Sequence, residues 1–387
     1  MAESNDRSRI GGGDAPARYI MLGGFLGAGK TTAVGHLAQY IAQKGQKVGL
    51  ITNDQGSGLV DTASLRAKGY ATEEIPGGCF CCRFNSLMDA ANRLNEASRP
   101  DVFVAEPVGS CTDLVATVTY PLRRIYGNQF IIAPLSVLVD PIRAQRVLGL
   151  SDGGRFSDKV VYIYRKQLEE ADLIVINKTD LISPEAMTEL RSALESAFPR
   201  ARVLCVSARS GEGLEEWFEI LCGETQADHP TMQVDYDTYA DGEALLGWLN
   251  ATLAVKAKSA FDGNELIQKI AIDLQARLRD KENEIAHLKM TLAPHSGLGD
   301  LAVVNVVRND IVPELGQRLE DSMTEGQLIL NLRAEADPAF LEGLVRDCLS
   351  DTSRLGASDV ELVIEDLEQF RPGRPEPTHR DLVEAGA

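Results

Sequence analysis

Between Tyr19 and Val206 the apolar positions gather in short, nearly unbroken runs: Tyr19-Ile20-Met21-Leu22, Val48-Gly49-Leu50-Ile51, Val102-Phe103-Val104-Ala105, 135–139, Leu173-Ile174-Val175-Ile176 and Val203-Leu204-Cys205-Val206. Runs of this length, bounded by polar and turn residues, predict strands buried on both faces, the pattern of a parallel sheet. Between them the spacing turns helical, up to about Lys44 and over 85–97, 160–171 and 214–221. Strand and helix alternating in this way predict an α/β domain over 18–224. After a linker at 225–230 the pattern changes. A strand is expected over 231–239, helices over 242–258 and 264–288, strands over 301–307 and 327–332, a helix over 338–349 and a strand over 360–364. That order is βαββαβ-like and predicts a smaller α+β domain over 231–368, its helices on one face of a small sheet. A polar, Gly-rich leader (1–17) and a Pro-rich extended tail (369–387) frame the two domains.

The loops at the strand ends carry the chemistry. Gly24-Phe25-Leu26-Gly27-Ala28-Gly29-Lys30-Thr31 fits the phosphate-binding pattern GxxxxGK[ST] and lies between a strand and a helix, the context that pattern requires. Glycines let backbone N–H groups curl around phosphates at a helix N-terminus, Lys30 offers a cation, and the Thr31 hydroxyl can ligate magnesium. Asn53-Asp54 ends the second run, so Asp54 reads either as a magnesium or water contact or as a solvated turn residue. Glu106-Pro107-Val108-Gly109 ends the third run, an acid and a glycine where a switch loop senses the outermost phosphate. Asn177-Lys178-Thr179-Asp180 follows the fifth. A carboxylate such as Asp180 can accept two hydrogen bonds from guanine, whereas adenine has no donors so arranged. Asp180 or Ser183 can also cap the helix that starts near Pro184, and both roles are compatible. Backbone N–H groups of Ser207-Ala208-Arg209 face the guanine carbonyl in this scheme.

Composition narrows the partners. The 39 basic and 57 acidic residues give a net charge of −18, which disfavours nucleic acid and anionic membranes. No apolar run approaches the roughly 20 residues of a membrane span, and 1–17 lacks a signal-peptide core, so a cytoplasmic protein is expected. There the odd count of seven cysteines fits reduced thiols. Three of them, Cys79, Cys81 and Cys82, fall within four residues. Thiolates so close on one loop can reach a single soft ion; buried packing and a redox pair are the other readings. An extended stretch would set Cys82 opposite the other two, and a tight turn would converge all three. Cys111, just past the Glu106 loop, reads first as core packing, and His287 and His295 as rim histidines.

Taken together, GFLGAGKTT at 24–32, Asn53-Asp54, GCFCC at 78–82, EPVG at 106–109, NKTD at 177–180 and SAR at 207–209 resemble the CobW-like metallochaperone GTPases, relatives of the nickel-insertion GTPases HypB and UreG. The resemblance follows motif order over about 18–224; beyond 231 it is architectural, and the His-rich stretch common in the family is lacking. It implies a P-loop NTPase domain with a mostly parallel sheet that binds GTP and magnesium. It also implies a transition metal, zinc or cobalt, held at the CxCC motif and delivered to a metalloenzyme or corrinoid-protein client, with a homodimer as a candidate assembly. By position it assigns the nucleotide to Gly24, Gly27, Ala28, Gly29, Lys30, Thr31, Thr32, Gly109, Asn177, Lys178, Asp180, Ser207, Ala208 and Arg209. Catalysis falls to Lys30, Thr31, Asp54 and Glu106, magnesium to Thr31 and Asp54, and the transition metal to Cys79, Cys81 and Cys82. Relatives usually carry Asn-Glu where this chain has Asn53-Asp54. Slow hydrolysis is expected, because no water-positioning glutamine or arginine finger is assignable. A GTP-dependent conformational chaperone for a corrinoid enzyme and a cysteine redox switch are the competing functions.

Overall fold

The computed structural model describes residues 15–54, 69–295, 300–350, 355–357 and 359–384, with the backbone alone at Asp54. The expected leader lies, as far as residue 14, outside the described residues. Two compact units form: Met1–Leu148, Tyr164–Val234 and Pro375–Ala387 in one, Gly149–Ile163 and Asp235–Arg374 in the other.

The first unit is built on eight strands: β1 (Ala17–Gly24), β2 (Val48–Asp54), β3 (Ala71–Pro76), β4 (Val102–Glu106), β5 (Phe130–Ile132), β6 (Ser136–Val139), β7 (Leu173–Ile176) and β8 (Arg202–Cys205). Every pairing is parallel, in the order β3-β2-β4-β1-β6-β7-β8 with β5 beside β1. β3 has no apolar run to announce it. It sits at the sheet edge, where Thr72-Glu73-Glu74 can keep polar side chains. One layer of the core joins Ile20, Leu22, Leu50, Val104, Leu138 and Val175 to Val34, Leu37 and Ile41 of the helix Lys30–Gln43. Ser136, the one polar residue in the run 135–139, accepts a hydrogen bond from the buried Trp217 indole at 2.9 Å. That satisfies a donor which burial would otherwise strand.

The second unit holds six strands in antiparallel order β12-β11-β10-β13-β9-β14: β9 (Leu246–Phe261), β10 (Ile285–Pro294), β11 (Ala302–Val306), β12 (Glu314–Gln317), β13 (Met323–Glu335) and β14 (Val360–Phe370). Helices Gly263–Asp280 and Pro338–Ser350 supply Leu266, Ile270, Leu274, Leu341 and Val345 to the same core as the alternating Leu249, Ala251, Leu253 and Val255 of β9. The α+β expectation holds, but its first elements are reversed. Residues 236–239, expected to end the strand over 231–239, instead open the helix Tyr236–Leu245, started by Asp235 accepting from the Asp237 and Thr238 N–H groups. The helix expected over 242–258 is mostly β9. Ala, Leu and Lys there favour a helix locally, yet strands on both sides and a period-two buried face override that propensity. The helix expected to run to 288 stops at Asp280, and β10 begins at Ile285.

At Gly24 β1 meets β6, in register with Leu138. The glycine has φ +126°, and a Cβ there would lie 2.3 Å from the Leu138 carbonyl oxygen. Only glycine carries the chain into the phosphate loop at this point. Gly24→Ala is therefore expected to lower the thermal midpoint and abolish nucleotide binding together, read by calorimetry and fluorescent-nucleotide titration. Wild-type values for both would refute the close approach.

Candidate functional site

In the loop between β1 and the first helix, Gly27 and Gly29 adopt φ +77° and +96°. Ala28 is buried between them, and Thr32 stands exposed on the first helical turn. The buried Lys30 ammonium donates to the Gly24 carbonyl at 2.8 Å and to Phe25 at 3.4 Å, so it lies along the rim of its own loop. Thr31 Oγ1 donates to Glu106 Oε1 at 2.9 Å, which brings the loop hydroxyl and the β4 acid to one point. A hydroxyl and a carboxylate in contact are the oxygen donors a magnesium ion takes. Asp54 ends β2 opposite Pro76, its side chain outside the described atoms. Gly109 packs so tightly that a Cβ would lie 2.8 Å from Leu26 N, tying the Glu106 loop to the phosphate loop.

Asn177 joins the two sides of the nucleotide region. Its Nδ2 donates to Ala28 O at 2.9 Å, and its Oδ1 accepts from the N–H groups of Lys178 at 2.8 Å and Ala208 at 2.9 Å. Lys178, at φ +58°, donates to Gly27 O at 2.7 Å and to Asp140 Oδ2 at 2.9 Å. Asp180 Oδ1 accepts from Ser207 Oγ at 2.7 Å, and Arg209 Nη1 stands 3.8 Å from Oδ2. Ser207 N–H is engaged by Glu212 O at 2.9 Å. The cap of the helix Pro184–Ala197 falls to Ser183, which accepts from Ala186 N–H at 3.3 Å and leaves Asp180 outside the cap. Asn177 and Lys178 thus tie residues 177–180 to the phosphate loop, and Asn177 and Asp180 in turn hold Ala208 and Ser207.

The cysteines follow β3. Gly77 (φ +72°) and Gly78 (φ +139°) turn the chain, and the N–H groups of Cys82 and Arg83 close back on Cys79 O at 3.1 and 2.9 Å. The helix Phe84–Ser98 begins immediately after. This turn converges all three sulfurs: Cys79 to Cys81 2.7 Å, Cys79 to Cys82 3.2 Å, Cys81 to Cys82 3.6 Å. Cys79 and Cys81 are buried and Cys82 is half-buried. Hydrogen bonds from the thiols of Cys111, Cys81 and Cys82 hold the Cys79 thiol well below its ordinary pKa. The same contacts push its neighbours up, Cys82 to about 12 through its bond to Cys79. Three soft donors on one turn, one of them readily ionised, suit a thiophilic cation.

Residues 375–384 lie across this turn. Glu376 N–H donates to Cys82 Sγ at 3.2 Å, Thr378 N–H to Cys81 O at 2.8 Å and Thr378 Oγ1 to Cys82 O at 3.0 Å. The His379 ring meets Phe84 edge-on at 4.9 Å. Beyond it Arg380 Nε reaches the buried Asp113 carboxylate at 2.6 Å, and Asp381 N–H donates to Ala116 O at 2.8 Å. The pattern at 369–387 predicted extension but not attachment.

Four further residues organise the site, Asn53 noted in the sequence only as part of a motif and the other three not at all. Asn53 Nδ2 donates to Ile75 O at 2.8 Å and to Gly78 O at 2.6 Å, joining the β2 end to the cysteine turn. Asp140 follows β6, which lies beside the phosphate-loop strand, and its place just past a strand end was the available signal. Gln167 Nε2 donates to Gly109 O at 2.9 Å and Cys111 O at 2.8 Å. One turn on, Glu170 accepts from Thr112 Oγ1 and Val115 N–H, both at 3.1 Å. Burial, then the nearby Asp113 charge, pushes the Glu170 carboxyl up to about 8.

Residues 18–205 match the family described as CobW/HypB/UreG, nucleotide-binding domain. Among curated proteins, the zinc chaperone YeiR of Escherichia coli K12 is 31% identical over 177 residues, covering 45% of this chain and 50% of its own. The zinc chaperone CobW of Sinorhizobium sp is 30% identical over 226 residues, covering 53% and 62%. Among solved structures, zinc-bound YjiA GTPase of E. coli aligns over 86% of this chain and 99% of its own, with 15% identity and a TM-score of 0.35. The chain spans about half the length of the curated relatives it matches. Among the described residues, no helix is long and apolar enough to cross a membrane.

Arg380→Ala removes the cation facing buried Asp113, and is expected to destabilise by about 3 kcal/mol. It should also speed hydrogen exchange at the Thr378 and Asp381 amides by more than about tenfold; unchanged exchange would mean that residues 375–384 are held otherwise. For Glu170 the folded pKa, about 8, lies above the ordinary 4.5, so the folded state binds the extra proton between those values. Its contribution is complete below pH 4.5 and is lost as pH rises through 8. Glu170→Gln should flatten the fall of the thermal midpoint across that range, and equal slopes in both proteins would exclude a buried, raised carboxyl.

Proposed function

We propose that the chain, whose residues 18–205 match the CobW/HypB/UreG nucleotide-binding domain family, is a GTP-binding and hydrolysing metallochaperone. It holds a transition metal, zinc before cobalt, on Cys79, Cys81 and Cys82 and passes it to a client metalloprotein. The observation that carries this is the convergence of three thiols on the turn after β3, bonded through Asn53 to the end of β2. The order β3-β2-β4 then sets that turn beside the loops of Asp54 and Glu106, which sense the phosphate. The naming of YeiR and CobW as zinc chaperones favours zinc.

In this reading Lys30 leaves the Gly24 and Phe25 carbonyls for the outer phosphates, and the backbone N–H groups of 27–32 cradle them. Magnesium would be held by Thr31, with Asp54 and Glu106 close by, and would neutralise charge on the phosphates. Asp180, fixed by Ser207, accepts from guanine's ring N–H and amine, while Asn177 keeps the two base loops against the phosphate loop. With no water-positioning glutamine assignable from the sequence, slow hydrolysis is the expectation, which suits a timer for metal release better than turnover.

Zinc binding measured by competition with a chromophoric chelator, with GDP and with a non-hydrolysable GTP analogue, tests the reading. One zinc per chain is expected, at least about tenfold tighter in one nucleotide state than in the other. The variant with Cys79, Cys81 and Cys82 all changed to Ser should lose it. Equal affinity in both states would end the coupling, and zinc retained by the triple variant would end the site. A client still bound by the triple variant would instead favour the corrinoid-enzyme chaperone.

A further inference from the structure

Residues 375–384 are fastened to the first unit at separate points. Glu376 N–H and Thr378 N–H reach Cys82 Sγ and Cys81 O at 3.2 and 2.8 Å, and Thr378 Oγ1 reaches Cys82 O at 3.0 Å. Further along, Arg380 Nε meets Asp113 Oδ2 at 2.6 Å, Asp381 N–H donates to Ala116 O at 2.8 Å, and Arg124 Nε meets Asp381 Oδ2 at 2.7 Å. Apolar burial adds little: Leu382 and Val383 are 59% and 42% exposed. A segment held by polar bonds over so little buried apolar surface opens at low cost.

Asp113 ties this segment to the loop that follows Glu106. It is 1% exposed and sits at φ +64°, in the left-handed region. Four residues before it Gly109 packs against Leu26 of the phosphate loop, and Gln167 holds the Gly109 and Cys111 carbonyls at 2.9 and 2.8 Å. A buried carboxylate that loses its facing cation is costly, so Asp113 and Arg380 move together or part at a penalty.

We propose that residues 375–384 are a gate over the cysteine turn, latched by the Arg380–Asp113 pair, so that the loop after Glu106 sets access to the thiols. The proposal rests on the metallochaperone reading and gives its site a means of regulation. Contacts run from Leu26 to Gly109, along the chain to Asp113, across to Arg380 and back to Cys81 and Cys82 at Thr378. A shift of 109–113 with the state of the phosphate site loosens the latch. The gate then lifts, and Cys82, the half-buried sulfur, becomes open to metal or client.

Pulse alkylation of the metal-free full chain with iodoacetamide, mapped cysteine by cysteine in a mass spectrometer, reads the gate. Thr378→Pro removes the N–H and hydroxyl bonds to the turn and leaves the latch in place; Cys82 should then react at least about tenfold faster. Asp113→Asn keeps a side chain that tolerates positive φ and removes the charge. Cys82 should again react at least about fivefold faster, an effect that a purely local role of Asp113 would not produce. Cys205 and Cys222, half-buried in the same unit, should keep their wild-type rates in both variants. A wild-type rate at Cys82 in folded Thr378→Pro would overturn the gate, and one in folded Asp113→Asn would overturn the latch. If Cys205 and Cys222 quicken as well, the unit has opened as a whole and the wild type decides. There Cys82 should react at rates at least about threefold apart with GDP and with the GTP analogue, and equal rates would overturn the proposal. A chain that takes up no zinc ends the metallochaperone reading, while the alkylation rates still decide the gate.

Discussion

Everything the first unit does depends on one constraint of a parallel sheet: every strand delivers its C-terminal loop to the same edge. With the order β3-β2-β4-β1-β6-β7-β8, the loops meet in a spatial sequence different from the chain sequence. Thiols come first, then Asn53-Asp54, then Glu106 to Cys111, the phosphate loop, Asp140, and the base loops of Asn177 and Ser207. Strands spaced by about 4.8 Å put β3 and β1 roughly 14 Å apart. The cysteine turn and the phosphate loop thus follow strands that β2 and β4 separate. The end of β2 reaches the cysteine turn through Asn53 to Gly78 O, and the segment after β4 reaches it through Cys111 beside Cys79.

Those crossings are made of buried polar groups, which sets their energetic character. Asn177 makes three bonds, Gln167 two and Glu170 two, each to a backbone or hydroxyl partner. A bond of this kind contributes only about 1 kcal/mol net, but stranding its partner in the interior costs about 1–3 kcal/mol. Such a network adds little to stability and much to uniqueness, since a loop that shifts must break several bonds together. The segment 109–115 is held by Gln167 and Glu170, one helical turn apart, so it is built to occupy discrete positions. This is the property a loop needs if it is to report on a phosphate.

What could be read from sequence follows the same division. The phosphate loop, Glu106, Asn177-Lys178-Thr179-Asp180 and the cysteine cluster were legible because their chemistry is local: glycines beside a lysine, an acid at a strand end, three thiols in four residues. Asn53, Asp140 and Gln167 were not, because an asparagine or glutamine acquires meaning only from the strand or helix set next to it. β3 hid for the related reason that an edge strand needs no apolar run. In the second unit, β9 carries Ala-Val-Lys-Ala-Lys, a helical sequence by propensity, and became a strand because β13 and β14 pair with it on both sides. Cys111 was visible as a residue and illegible as a partner, its neighbour Cys79 lying more than thirty positions away in the chain.

Around a tetrahedral zinc with 2.3 Å bonds, neighbouring thiolates stand about 3.8 Å apart. The three sulfurs here all lie within 4.8 Å of one another, so one ion can take them all. Residues 376–378 bond to Cys82 Sγ and to the carbonyl oxygens of Cys81 and Cys82. The bond from Glu376 N–H to Cys82 Sγ can persist on a metal thiolate, where it spreads the charge without displacing the ion. The carbonyl contacts depend on the shape of the turn and respond when it changes. A metal bound there would meet two attachments, the segment 375–384 and the Glu106 to Cys111 segment, and the second is also joined to the phosphate loop at Gly109.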